Sequence, residues 1–335
     1  KVRDQMSAMD RRIPESASRP GLVARLRPQR WNRGALRSRP TLLPGHRIVR
    51  DTDGLPEVLG QIGTLEVRLA RTVQDIRRAQ RLRFQVFYEE MSASPSPRNL
   101  LARRDIDPFD RICDHLLVID REWRRHPAAP ARPRVVGTYR LLRQEFAERN
   151  GGYYSAGEYD LRGLIAAHPG QRILELGRSC VLAPYRTKRT VELLWHGIWA
   201  YVRHHRCDLM IGCASLEGTD PDAIAGQLSF LHHHAGAPEA WRAAALPERY
   251  VAMNRRRAED IDPRRAMASL PPLIKAYLRL GGKFGDGAVI DRQFGTTDVL
   301  VIVRVADIDP RYIAHYSGRD AACQTPAASA ASPSR

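Results

Sequence analysis

Residues 171 to 205, QRILELGRSCVLAPYRTKRTVELLWHGIWAYVRHH, carry the reading that decides the fold. Ile173 to Leu182 is an apolar run with Glu175 and Arg178 set into it, and Pro184 ends it, which is the pattern of a buried strand. After a short basic turn, Val191, Leu194, Trp195, Ile198, Trp199 and Val202 recur at the spacing of one helical face. The N-terminus of such a helix presents unpaired N–H groups and about half a positive charge. Arg186, Lys188, Arg189 and Thr190 therefore stand where an anionic ligand would be held.

Charges inside an apolar strand are costly unless they are paired or open onto a cleft. Glu175 and Arg178 fit either a structural ion pair or a reactive site. An offset of three puts them on opposite faces of a regular strand. Gly177 lies between them, and a bulge there would turn both to one side and splay the strand from its neighbour.

The chain has 335 residues, enough for one large domain or two small ones, and its 43% hydrophobic content supports a real core. A net charge of +17 favours an acidic partner, whether nucleic acid, anionic membrane or acidic carrier protein. Cys113, Cys180, Cys207, Cys213 and Cys323 are scattered without C-x-x-C pairing, so no disulfide framework and no metal site is expected, and the reduced cytoplasm is the expected home. No apolar run reaches the roughly 18 residues of a membrane span, and no apolar signal core opens the chain. The chain opens on Lys1, and a natural start upstream of it is an expectation.

Residues 1–60, rich in Arg and Pro, read as a basic, disordered tail, and residues 317–335 as a low-complexity tail. Between them LEVRL (65–69) reads as a strand, Thr72 as the N-cap of a helix containing Val73 to Phe87, and His115–Asp120 with Val135–Leu142 as a hairpin. Residues 143–170 read as irregular. Asp208–Ala214 reads as a buried strand, Asp220–His234 as a helix, and residues 270–305 as a short helix, a Gly-rich turn and a last strand from Asp298. Leu273, Ile274, Tyr277 and Leu278 fit either an interfacial helix or core packing. The order of elements predicts a single mixed α/β domain over 61–316.

Arg83 and Phe87 in RFQVF, Asp107 and Asp110 in DPFD, Arg140 in GTYRLL, and Glu175 and Arg178 in ELGRSCV match, in order and local spacing, the charged signature of acyl-homoserine-lactone synthases. The chain thus resembles the GNAT acyltransferases, in the branch those synthases share with ornithine lipid N-acyltransferases. Residues 220–316, including LPPLIKAYLRLGGKFGD and FGTTDVLVIV, are more similar to the ornithine lipid enzymes. The resemblance covers residues 62–312. It implies an α/β (α+β) fold with a mixed, mostly antiparallel central sheet, a splayed central strand and flanking helices.

It further implies transfer of a 3-hydroxyacyl group from acyl carrier protein to the α-amino group of ornithine, with membrane contact at the inner face. The donor would be carrier-borne acyl-phosphopantetheine, with no permanently bound cofactor. PYRTKRT lacks the glycines of a coenzyme A pyrophosphate loop, which a single phosphate tolerates better.

Amide formation requires an uncharged amine, which makes Glu175 the candidate general base. N–H groups near Val181 and Leu182 are candidates to stabilise the oxyanion, a contribution of about 3 kcal/mol. Arg178 and Arg140 would orient Glu175 or grip a substrate carboxylate. Asp107 and Asp110 would receive the ornithine ammonium or lock Arg83. Arg186, Lys188, Arg189 and the Arg203–Arg206 cluster would form a landing surface for an acidic carrier. The alternatives are a lactone-synthase-like enzyme with another amine acceptor, or a basic nucleic-acid-binding protein. No recognition helix, zinc motif or ribonucleoprotein sequence supports the second, and nucleic acid is not expected as a partner.

Overall fold

In the computed structural model, residues 52–317 are described. Ten strands are found there: β1 Gly60–Ile62, β2 Leu65–Leu69, β3 Asp114–Asp120, β4 Arg134–Arg143, β5 Tyr159–Asp160, β6 Ile173–Val181, β7 Leu209–Glu217, β8 Ala244–Ala245, β9 Lys283–Asp291 and β10 Thr296–Arg304. The helices are α1 Val73–Phe84, α2 Pro97–Ala102, α3 Gln144–Arg149, α4 Arg162–Ala167, α5 Lys188–His204, α6 Ala225–Ala235, α7 Pro263–Ser269, α8 Pro272–Arg279 and α9 Pro310–Ser317.

The strands form one sheet in the order β1-β2-β3-β4-β6-β7-β10-β9-β8-β5. Its pairs are antiparallel except β6–β7 and β8–β9. This is the mixed, mostly antiparallel sheet flanked by helices that the sequence predicts.

β6 and β7 are joined by α5, as a parallel pair requires a crossover. α5 packs on the face that carries Val67 and Leu116, where Gly197 lets the helix approach so closely that an added Cβ would meet Val67 at 2.8 Å. α8 lies on the same face. Its Tyr277 hydroxyl shares a 2.8 Å hydrogen bond with that of Tyr139, and its ring meets Trp195 edge-on. Ile274 and Tyr277 are buried in this core, so α8 packs inward instead of offering an interfacial face. No helix among the described residues is long and apolar enough to cross a membrane.

β6 pairs with β7 only over Ile173↔Leu209, Leu174↔Met210 and Glu175↔Ile211, then departs, while β7 continues along β10 to Glu217. The expected splay is present. Its bulge is not at Gly177, which sits directly opposite Arg140; the register slips between Thr138 and Arg140, and the inserted residue Arg178 takes φ +50°.

Several expectations are corrected. Residues 143–170 are not irregular but hold α3, β5, α4 and a 3-10 turn at Tyr154–Gly157. The helix expected from Asp220 starts at Ala225, because Asp220 instead closes a turn by accepting from the Asp222 N–H. The Gly-rich turn is strand β9, whose glycines admit a neighbouring chain: a Cβ on Gly285 would lie 2.6 Å from the Ala243 carbonyl oxygen. Val191, placed on the apolar face of α5, is 43% exposed.

Leu55 and Leu59 are buried in the core, so ordered structure starts ahead of residue 61. The tail through residue 51, the low-complexity end from residue 318 and Cys323 lie outside the described residues.

Gly212 marks the last close approach of β7 to β6. A Cβ there would lie 2.2 Å from the Leu176 carbonyl oxygen, which is backbone and cannot step aside. Gly212→Ala is therefore expected to cost about 1–3 kcal/mol or more, read as a lower denaturant midpoint at unchanged slope.

Candidate active site

Side chains alternate across the sheet, so register places residues on faces. Glu175 lies opposite Ile211 on β7 and Leu142 on β4. On that same face follow Arg140, two residues from Leu142, and Cys213, two from Ile211. On β10, Asp298 pairs with Ser215, and beyond it Thr296 pairs with Asp291 of β9. The bulge brings Arg178 to this face as well: its guanidinium lies 5.2 Å from the Tyr154 ring centre, and that of Arg140 lies 5.3 Å from the same ring. Arg140 passes over Gly177, where an added Cβ would stand 3.9 Å from its guanidinium, an ordinary contact distance.

Glu175 is buried where β6 leaves β7. Its two oxygens accept the backbone N–H groups of Tyr154 and Ser155 at 2.8 and 2.7 Å. The carboxylate thus anchors the 3-10 turn that forms the site's roof. Burial pushes its pKa up, against the hydrogen bonds from that turn and the charge of Arg140.

Arg83, Arg140 and Arg178 interleave with Asp105, Asp107 and Asp110. Arg83 is fully buried, with Nε 2.8 Å from Asp105 Oδ2 and Nη2 2.8 Å from Asp110 Oδ2. Arg140 Nη1 lies 2.9 Å from Asp107 Oδ1, and Arg178 Nη2 donates to Asp107 Oδ2 at 3.0 Å. Gln80 and Tyr88 add hydrogen bonds to Asp110 and Asp105. Burial alone would lift the carboxyls of Asp107 and Asp110. Arg140 and Arg178 hold the first below its ordinary range, and Arg83 holds the second well below it. Of the two readings of the aspartates, the geometry has Asp110 locking Arg83, while Asp107 joins Arg140 to Arg178.

Tyr88 reaches Asp105 because α1 widens into a π-helix at Gln85–Glu90. Phe87, on that turn, packs edge-on against Phe294 at 5.5 Å, and Phe294 lies under the Arg178 guanidinium at 4.9 Å.

The basic turn reads differently from its sequence in two places. The Leu182 N–H donates to the Val136 carbonyl at 2.9 Å, so it is spent on the sheet rather than held for an oxyanion; Val181 pairs with Gly137. Thr190 is buried, and its N–H is capped by the Thr187 hydroxyl, the N-cap of α5. Lys188 and Arg189 are exposed at that end, while Arg186 is tied to Glu90 at 2.6 Å. The Arg203–Arg206 cluster lies at the other end of the 17-residue α5, about 25 Å away, and does not extend the same landing surface.

One group was missed. Glu158, Asp291 and Asp298 bring carboxylate oxygens within 4.8 Å of one another. A charged residue inside an apolar run singled out Arg140 and Glu175, and the same signal was present for Asp298 in TTDVLVIV.

A sheet opened beside a buried carboxylate, with a basic helix N-terminus below, defines an acyltransferase of the GNAT class, and residues 82–196 match the Acetyltransferase (GNAT) domain model. The L-ornithine N(alpha)-acyltransferase of Agrobacterium fabrum is 50% identical over 86% of this chain and 96% of its own. The enzyme of the same name from Brucella abortus is 53% identical over 77% and 91%. The chain belongs to the L-ornithine Nα-acyltransferase family. Among solved structures, an N-acyl amino acid synthase from uncultured soil microbes aligns over 72% of this chain and 92% of its own at 9% identity and TM-score 0.41.

Arg83→Met should cost about 3–5 kcal/mol at neutral pH, because it strands two buried aspartates. In the native protein, depressed carboxyl pKa values contribute stability that is present above about pH 4 and lost as pH falls. Without Arg83 the Asp110 carboxyl loses the charge that holds its pKa down against burial, so the stability gap measured by urea titration should be widest at pH 7 and shrink towards pH 4.

Proposed function

We propose that this chain transfers a 3-hydroxyacyl group from the phosphopantetheine thioester of acyl carrier protein to the α-amino group of L-ornithine. Identity near one half across almost the full length of the Agrobacterium enzyme carries the assignment of acceptor and reaction. The basic surface at Lys188 and Arg189 supports an acidic donor protein.

The ornithine nitrogen attacks the thioester carbonyl, the C–N bond forms and the C–S bond breaks, and the thiolate leaves and takes up a proton. Glu175 receives the proton lost by nitrogen, directly or through water. Each of its oxygens keeps a lone pair beyond the one that accepts a backbone N–H, and burial, by raising its pKa, makes it a stronger base than an exposed carboxylate. The Tyr154 and Ser155 N–H groups orient that carboxylate, and Arg178 and Arg140, on the same face, grip the acceptor's own. The phosphate of the pantetheine arm meets the N-terminus of α5, with no permanently bound cofactor. Such an enzyme would work in the cytoplasm, where acyl carrier protein is made, and deliver its lipid product to the inner membrane face.

Purified protein given 3-hydroxyacyl carrier protein should convert ornithine to a lyso-lipid of the summed mass less water; a lactone from S-adenosylmethionine instead would reassign it. Glu175→Gln should lower turnover about 10²–10⁴-fold and abolish the limb of the pH–rate profile set by the carboxylate. It should also lower the melting temperature, because the new amide faces a backbone N–H. Near-normal turnover would remove Glu175 from the base role.

Lys188→Glu combined with Arg189→Glu should weaken use of the carrier-bound donor and flatten its salt dependence, while a short acyl-pantetheine donor is used as before. Equal loss with both donors would place these residues elsewhere in the reaction.

A further inference from the structure

The arginine–aspartate lattice holds three of each residue and has no carboxylate to spare for a cation. The trio Glu158, Asp291 and Asp298 is different. Glu158 and Asp298 are buried, at 5% and 8% exposure, and Asp291 is partly so. Asp291 Oδ1 accepts the N–H groups of Gln293 and Phe294 at 2.8 and 3.0 Å, and Asp298 Oδ1 accepts the Thr296 hydroxyl at 3.0 Å. The cation nearest to Glu158 is Arg249, whose Nη2 stands 3.6 Å from Oε1 while its Nη1 is committed to the Gly157 carbonyl. Glu158 Oε2 is buried without a nitrogen or oxygen donor, and the Cys213 thiol, which donates to the Ser155 hydroxyl, stands beside it. Three carboxylates thus converge on one another with an arginine beside only Glu158, and Glu158 Oε2 has no nitrogen or oxygen donor, a costly arrangement unless a cation completes it.

The trio's position relates it to the chemistry. It lies on the same face as Glu175, past the opening between β6 and β7. Ser155 links the two: its N–H donates to Glu175, and its hydroxyl accepts the Cys213 thiol at 3.5 Å, beside Glu158. Phe294, whose N–H binds Asp291, puts its ring under Arg178. The Arg178 guanidinium, the Glu175 carboxylate and the acidic trio thus share one face, the trio linked to the first through Phe294 and to the second through Ser155, an arrangement that suits an amino acid bearing a second, distal ammonium.

We propose that Glu158, Asp291 and Asp298 bind the side-chain ammonium of a diamino acid acceptor and so set the enzyme's preference for ornithine over neutral amino acids. The proposal deepens the ornithine reading above and rests on it for the acceptor's class. Burial and the charge of Asp298 push the Glu158 carboxyl up to about 7, and burial also raises Asp298, so a bound ammonium would relieve both.

The test compares ornithine with norvaline, which has the same carbon chain but no distal nitrogen, in calorimetric binding and in acyl transfer. Wild type should bind ornithine more tightly. Glu158→Gln and Asp298→Asn, which remove a strained buried charge and so should melt no lower, are expected to reduce the ornithine-to-norvaline ratio of kcat/KM about 10–100-fold. For ornithine the loss should fall mainly in KM.

An unchanged ratio, or equal loss with both acceptors, would overturn the proposal. So would stoichiometric uptake of Mg²⁺, Ca²⁺ or Mn²⁺ by wild type in equilibrium dialysis that is lost in the variants, since the trio would then be a metal site. If ornithine binds through the trio but is not acylated, the ornithine-acyltransferase reading falls and this one stands.

Discussion

β6 has two neighbours and cannot follow both. Along β4 it is paired to Val181 at the expense of one extra residue, and that residue, Arg178, is forced into a left-handed backbone conformation. A bulge adds twist to the strand that carries it. Along β7 the partnership ends after Glu175 and Ile211. Gly212 stands at the point of parting, so close to the Leu176 carbonyl that only a missing side chain permits it. The opening is thus a product of backbone geometry, and Glu175, Arg178 and Cys213 surround it because they are the residues nearest to where pairing fails. An arginine in a regular strand at position 178 would point to the other face, and the site would lose its cationic wall.

Much of this was legible in the sequence. The run ILELGRSCV followed by the 3.6-residue period of WHGIWAYV specifies a buried strand and a packed helix whatever their surroundings. Glu175 and Arg178 stood out because charge in an apolar run carries a physical cost. Less legible was how the cost is met. Whether an aspartate binds a ligand or an arginine depends on distances between segments remote in sequence, such as Arg83 and Asp110, and no local pattern encodes them. Residues 143–170 looked irregular because their short helices draw order from contacts, chiefly the Glu175 carboxylate that ties down Tyr154 and Ser155. β9 read as a turn because glycines that serve a close chain crossing look the same in sequence as glycines that serve a bend. The Leu182 and Thr190 N–H groups were misjudged for a related reason: a backbone donor is available only if nothing nearer claims it, and Val136 and Thr187 do.

The buried charges divide the site by sign. Three arginines and three aspartates neutralise one another, with Arg140 and Arg178 against the Tyr154 ring, while the trio on β9, β10 and the end of the roof turn brings three carboxylates together. This division bears on which nitrogen reacts. The distal amine of a diamino acid is more basic than the α-amine, so at neutral pH it is the harder to deprotonate. Carboxylates around it raise that pKa further and hold it as ammonium, which has no lone pair with which to attack a thioester. In the proposed binding mode the α-amine would lie beside Glu175, meet a base there and be more readily made neutral. If the trio holds the distal nitrogen and Glu175 is the base, as proposed, the site would direct acylation to the α position through electrostatics, without having to exclude the longer arm by shape.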